Sequence, residues 1–167
     1  MGQLLTTACV EQILTPTLDT SAYAAGDRLG SIMTLSNVCR NPGGMVELVD
    51  ILLVDATATS GISVDVLFFD SLPTVASADN AAINISDAEM LKLCGSLSLL
   101  TGNYKSTASN GYIYATDLNM LMKPVAPSAS AGIVTSSNLY ALMVLRAGTP
   151  TFAANSIQLR MRFKQLN

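Results

Sequence analysis

The sequence predicts an all-β domain: about eight antiparallel strands in a jelly-roll-like β-sandwich, with one short helix near residues 86–94. Three observations lead there. Apolar and polar residues alternate with a period of two in several short runs, as in half-buried strands. Clusters of Gly, Pro, Asn and Ser punctuate those runs, and a single segment carries a helix-start signal. Such short strands with little helix imply a sandwich or barrel, and about eight of them joined by loops of unequal length favour a jelly-roll sandwich.

The stretch from Met45 to Asp70 organises the chain. It reads MVELVDILLVD, then ATATSG, then ISVDVLFFD. In the second run Ile62, Val64, Val66 and Phe68 share one face while Ser63 and Asp65 begin the other, so this strand is half-buried. The first run is apolar on both faces around Ile51 to Val54, as in a strand covered on both sides. Together they are expected to form a long antiparallel hairpin in the middle of one sheet.

Before that pair, Gln3 to Leu14 is aliphatic and β-branched and reads as a strand, stopped by Thr15-Pro16-Thr17. Leu18 to Gly30 is turn-rich, with Gly26-Asp27 as a tight turn, and Ile32 to Cys39 reads as a strand. Asn41-Pro42-Gly43-Gly44 is the clearest turn in the chain. After the pair, Ser71 to Ile85 is a long excursion without strand pattern. Ser86-x-x-Glu89 is a capping box that predicts a helix of two turns running into MLKLC and closed by Gly95. Ser96 to Thr101 reads as a short strand and Gly102 to Gly111 as a polar loop. Tyr112 to Lys123 alternates, placing Tyr112, Tyr114, Leu118, Met120 and Met122 on one side. Pro124 to Gly132 is a second loop. Asn138 to Arg146 is almost continuously apolar and suits a central strand. Ile157 to Lys164 has the cleanest alternation, with Ile157, Leu159, Met161 and Phe163 inward and Gln158, Arg160, Arg162 and Lys164 outward.

The 167 residues suffice for one domain with one core, spanning 1–167 with an N-terminal strand or arm over 1–15. Half of them are apolar, 13% are charged and the mean hydropathy is +0.42. An ordinary soluble domain carries about 25% charged residues. The shortfall predicts a surface with apolar area to bury against other chains, hence an oligomer or a component of a larger assembly. No apolar run approaches the roughly 20 residues of a spanning helix, and MGQLLTTACVEQ lacks the basic start and apolar core of a signal peptide. Met1-Gly2 to Thr6 fits the short myristoylation pattern, but the same residues read naturally as the first strand. A net charge of −3 with nine basic residues argues against nucleic acid as a partner, and the short apolar runs argue against a membrane. Cys9, Cys39 and Cys94 are odd in number and widely spaced, as reduced thiols are.

The chain has no histidine, which removes Ser-His-Asp and Cys-His catalysis and His-ligated metals. It has neither GxxxxGK[ST] nor GxGxxG to cradle a phosphate. Paired carboxylates for glycoside hydrolysis would have to come from Asp65 with Asp70, or from Asp79, Asp87 and Glu89. Each has a plainer role. Asp65 lies on an outward strand face, Asp70 ends that strand, and Asp87 and Glu89 sit in a first helical turn, where carboxylates suit the helix dipole. The spacing from Asp79 to Glu89 matches no calcium loop. A sugar platform lacks Trp, leaving Tyr23, Tyr104 and Tyr140 unplaced. The outward row Arg160, Arg162 and Lys164 holds three of the nine basic residues. It is either a solvated, edge-guarding face or an electrostatic contact with an acidic partner surface.

The segment TPTLDTSAYAAGDRLG (Thr15 to Gly30), the NPGG turn, the stretch LFFDSLPTVASADNAAINIS and the closing TFAANSIQLRMRFK resemble small capsid decoration, or cement, proteins of tailed bacteriophages. The resemblance spans most of the chain and lies in sequence style, with no chemical signature. It implies a non-enzymatic, cofactor-free jelly-roll-like domain that attaches as a dimer or trimer to the outside of the head shell. The partner implied is the major capsid protein, and the location a virion assembled in the host cytoplasm. Contacts would fall on the termini and on the loops Leu18 to Gly30, Ser71 to Ile85 and Pro124 to Gly132. Two rivals differ in class: a tail or head-fibre receptor- or glycan-binding module, and a cellular carbohydrate-binding or hydrolytic β-sandwich that would depend on Asp79 or Asp87.

Overall fold

A computed structural model describes residues 8–57, 62–124 and 136–166. Residues 1–7 of the expected arm, the tip of the ATATSG loop and all but Pro124 of the loop expected over Pro124 to Gly132 lie outside the described residues. The strands are β1 (Cys9–Leu14), β2 (Arg28–Leu35), β3 (Val46–Asp55), β4 (Ser63–Phe69), β5 (Leu93–Leu99), β6 (Lys105–Ser106), β7 (Gly111–Ala115), β8 (Met120–Met122), β9 (Leu139–Ala147) and β10 (Ile157–Gln165). One turn of α-helix, α1 (Asp87–Met90), and a 3-10 turn at Thr101–Asn103 complete the described elements.

The strands form two antiparallel sheets. The first has the order β1-β10-β3-β7-β6, with β8 pairing on β3 beyond β7; the second has the order β2-β9-β4-β5. With the two-residue edge strand β6 set aside and β7 and β8 taken as two halves of one position beside β3, eight positions fill two four-stranded layers. The chain changes sheet at every step between those positions except from β4 to β5. This is a jelly-roll sandwich, as the strand number and loop lengths predict.

The core lies between the layers. Val46, Leu48, Ile51 and Leu53 of β3 and Leu159, Met161 and Phe163 of β10 meet Val64, Val66 and Phe68 of β4 and Ala141, Met143 and Leu145 of β9. Each large side chain fully buried there contributes roughly 1.5–3 kcal/mol of transfer free energy. The alternation of β10 is realised in full, and β9 is a central strand between β2 and β4.

Four expectations are corrected. The runs of Met45 to Asp70 do not form a hairpin: β3 and β4 lie inside opposite sheets and face each other across the core. Two apolar strands reach more partners as interior members of separate layers than as neighbours. The strand covered on both faces is β4, not β3. Its Leu67 and Phe69 join Leu142 and Val144 in a second cluster, covered by Val75, Ile83 and Ile85 from the loop after β4.

The predicted two-turn helix stops after one. Ser86 caps α1, its Oγ accepting from the Glu89 N–H, but Glu89 reaches sideways to the Thr74 N–H and Lys92 Nζ, both at 2.6 Å. The residues after Lys92 enter β5, where pairing with β4 satisfies their backbone, and Gly95 packs beneath the Met120 and Met122 sulfurs. Lastly, Tyr112 to Lys123 is two strands. Asp117 and Asn119 adopt positive φ between them, and the turn shifts the phase. Ile113 and Met122 are buried, whereas Tyr112 and Tyr114 stand on the outer face of the first sheet.

Candidate functional site

The outer face of the first sheet gathers the residues singled out for partner contact. Alternation along β10 projects Arg160, Arg162 and Lys164 outward, and antiparallel pairing sets them between Glu11 of β1 and Glu47 and Asp50 of β3. A bulge makes this alignment possible. In β3 the inward pair Val46/Leu48 and the inward pair Ile51/Leu53 are out of phase, and Val49 is the extra residue between them. Without that bulge Asp50 would fall in phase with Leu48 and point at the core.

Arg162 grips Asp50 with both ends of its fork. Nη2 lies 2.6 Å from Oδ2, and Nε donates to Oδ1 at 3.0 Å and Oδ2 at 2.8 Å. Its Nη2 also donates to the Tyr114 hydroxyl at 3.0 Å. The Asp50 hydrogen bonds and charge raise the Arg162 pKa further, so this guanidinium is a fixed cation. Lys164 Nζ stands 3.5 Å from Glu47 Oε2, and Arg160 Nε 3.9 Å from Glu11 Oε2. Three cations therefore meet three carboxylates on neighbouring strands, and the face carries little net charge.

Beside this charged band the surface turns apolar. Leu52 and Val54 pair with Tyr114 and Tyr112, and Leu52, Val54, Tyr112, Asn110 and Gly111 line an open cavity of about 350 Å³. Tyr114 is 42% exposed, Leu121 54%, and Ile13 on the far side of the cations 63%. Such a face can bury apolar area while keeping its ion pairs. Sequence reasoning placed the cations and missed their carboxylates and the tyrosines. The out-of-phase pattern in MVELVDILL and the turn-prone Asp117-Leu118-Asn119 were the available signals.

The other candidate side chains are dispersed. Asp79 joins two loops: its Oδ1 accepts from the Tyr23 hydroxyl (2.9 Å), the Gly30 N–H (2.7 Å) and the Asn80 N–H (2.9 Å), and its Oδ2 from the Asp19 N–H (2.7 Å). Burial and the Asp79 hydrogen bond raise the Tyr23 pKa, and its ring packs edge-on against Phe152 at 5.6 Å. Asp65 pairs with Arg146 at 2.6 Å and accepts from Ser98 Oγ, Asp70 accepts from Ser71 Oγ, and Asp87 and Glu89 stay in the helical turn. Tyr104 donates to buried Asp55, and burial with that carboxylate pushes its pKa up to about 12. Tyr140 packs beneath the loop after β4. The cysteines are unpaired: Cys9 is exposed, and burial pushes Cys39 up to about 11 and Cys94 up to about 12.

Among the described residues no three His, Cys, Asp or Glu side chains converge to hold a metal ion, and no helix is long and apolar enough to cross a membrane.

No protein-family model and no curated protein matches the chain. Among solved structures, the VP2 subviral particle of infectious bursal disease virus aligns over 96% of this chain and 33% of its own, at 7% identity and a TM-score of 0.40. The Gx strain of the same virus aligns over 96% of this chain and 32% of its own, at 6% identity and a TM-score of 0.41. Desmodium yellow mottle tymovirus aligns over 95% and 87%, at 13% identity and a TM-score of 0.28. The chain thus spans about a third of the length of the bursal disease virus chains it resembles.

Proposed function

We propose that this chain is a non-enzymatic structural component of a virion, a single domain over 1–167 that works by binding other protein subunits. The finer reading is a decoration protein that attaches to the outside of a tailed-phage head through its major capsid protein and stabilises the shell. One observation carries the proposal: a sheet face of matched ion pairs flanked by exposed Ile13, Tyr114 and Leu121 suits burial against protein. Arg160, Arg162 and Lys164 mark that face as the partner contact. A surface poor in charge and the resemblance of Thr15 to Gly30 and of the closing strand to decoration proteins support the same reading. Stabilisation would be mechanical, with many weak contacts repeated over a shell and adding through multivalency.

The test is the number of copies per particle, by quantitative mass spectrometry of purified virions from the source. Hundreds of copies in simple ratio to the main shell protein are expected. A handful would move the chain to a tail or fibre, and complete absence would overturn the structural role.

A further inference from the structure

We infer that the outer face of the first sheet closes on the same face of a second copy of this chain, about a two-fold axis parallel to the strands and lying between β10 and β3. The inference rests on the assignment of this face to partner contact and names its occupant. The register supplies the geometry. Across the face, Lys164 is level with Glu47, Arg162 with Asp50, and Ile13 with Arg160, Leu52 and Tyr114. Rotation about the stated axis keeps each level and exchanges the columns, so β10 of one copy lies over β3 of the other and β1 over β7. Lys164 then stands over Glu47 of the second copy, Arg162 over its Asp50, and exposed Ile13 over its exposed Tyr114 ring. Lys164 and Arg162 each meet a carboxylate, Arg160 lies over Leu52 of the second copy, and the apolar flanks meet each other.

Charge balance favours a second copy over an unrelated acidic protein. Glu11, Asp50 and Glu47 already occupy the cations, so an acidic partner gains no net attraction and repels those carboxylates. A second copy brings cations and carboxylates in equal number. The overlap is modest in size: four superposed strands at about 4.8 Å spacing and nine residues at about 3.3 Å give roughly 570 Å² per copy, near the lower end for specific interfaces. Two sheets packed face to face also keep their strands within about 30° of parallel, which this axis satisfies.

The full-length chain should sediment as a dimer over a roughly hundredfold range of concentration. Ile13→Glu, at an exposed position, should shift it to monomer, while Leu91→Glu, exposed near the second sheet, should leave the dimer intact. In a Cys9→Ser background, Ile13→Cys with Tyr114→Cys should yield a covalent dimer on oxidation. Within one chain these positions lie three strand spacings apart, about 14 Å, too far for a disulfide. A monomer at every concentration, a trimer, or a dimer that survives Ile13→Glu and forms no cross-link would each overturn the inference. The cross-link decides the matter if the Glu variant misfolds. The copy count on virions is independent of these results, so failure of the dimer is distinguishable from failure of the virion reading.

Discussion

Asp79→Ala should destabilise the protein far more than an exposed carboxylate would. The side chain accepts from four donors, but two of them have second acceptors: the Asp19 N–H also reaches the Tyr23 oxygen at 2.8 Å, and the Asn80 N–H reaches the Arg28 carbonyl at 3.0 Å. Truncation therefore strands the Gly30 N–H and the hydroxyl proton of Tyr23, a residue only 1% exposed. Leaving a buried donor unmade costs about 1–3 kcal/mol, so the pair predicts a loss near 4 kcal/mol. For a chain of this length that lowers the melting temperature by roughly 8–16 °C. Asp79→Asn keeps the shape but turns an amide donor toward one of the N–H groups, so it should lose about half as much. Asp87→Ala, at the edge of a one-turn helix, should stay within about 0.5 kcal/mol. Thermal and urea melts followed by circular dichroism at neutral pH measure all three. A loss below about 1 kcal/mol for Asp79→Ala, or equal losses for Asp79→Ala and Asp87→Ala, would refute the hub. An unchanged melt with abolished glycan hydrolysis would restore the hydrolytic rival.

Four further outcomes follow from the same structure. A thiol reagent at mildly alkaline pH should modify Cys9 promptly, and Cys39 and Cys94 only after denaturant is added. Those two thiols, one buried and one half-buried, are raised in the folded state from 9.0 to about 11 and about 12, so their contribution is complete below pH 9 and lost as pH climbs through those values. Wild type should accordingly lose stability over that alkaline window faster than a Cys39→Ala, Cys94→Ala variant. Glu89 is lowered from its ordinary 4.5, first by the Lys92 hydrogen bond and then by the Thr74 N–H, so its contribution is present above 4.5 and lost as pH falls. Glu89→Gln should flatten that part of the acid limb, and an unchanged limb would contradict the contact. Gly111→Ala would drive its new methyl into the Tyr104 phenol and push that ring away from Asp55. It should cost about 1–3 kcal/mol by urea melt, and an unaltered midpoint would show that the ring moves freely.

The sequence carried the architecture because strand patterning is local. The alternation of Ile157 to Phe163 and the continuous apolar run of β9 specify which faces are buried, whatever the neighbours are. Pairing is not local. Met45 to Asp70 looked like a hairpin because adjacent apolar strands usually pair, and nothing within the stretch says that each is interior to its own layer. The charged row on β10 was legible for the same reason the core was. Its matching carboxylates were not, because Asp50 takes its place only through the Val49 bulge and a pairing between residues 112 positions apart. Tyr112 and Tyr114 were assigned to the wrong face because Asp117 and Asn119 reset the phase within what reads as one run. Asp79 resembled a catalytic acid in isolation. Its structural role depends on contacts with Asp19, Tyr23 and Gly30, about 50 to 60 residues earlier, which no motif announces.

The strand order has a kinetic consequence. β9 and β10, the last strands along the chain, occupy interior positions in both layers, β9 between β2 and β4 and β10 between β1 and β3. Neither sheet has its full set of ladders until those residues arrive, so β3 and β4 must wait during synthesis with apolar edges unpaired. Pairings that span most of the chain also carry a large loop-closure cost before any contact rewards it, which slows the search. The low charge that suits a buried surface gives little protection in that interval. Recovery of soluble protein should therefore depend on how quickly the final strands close the layers, as much as on the stability of the finished fold.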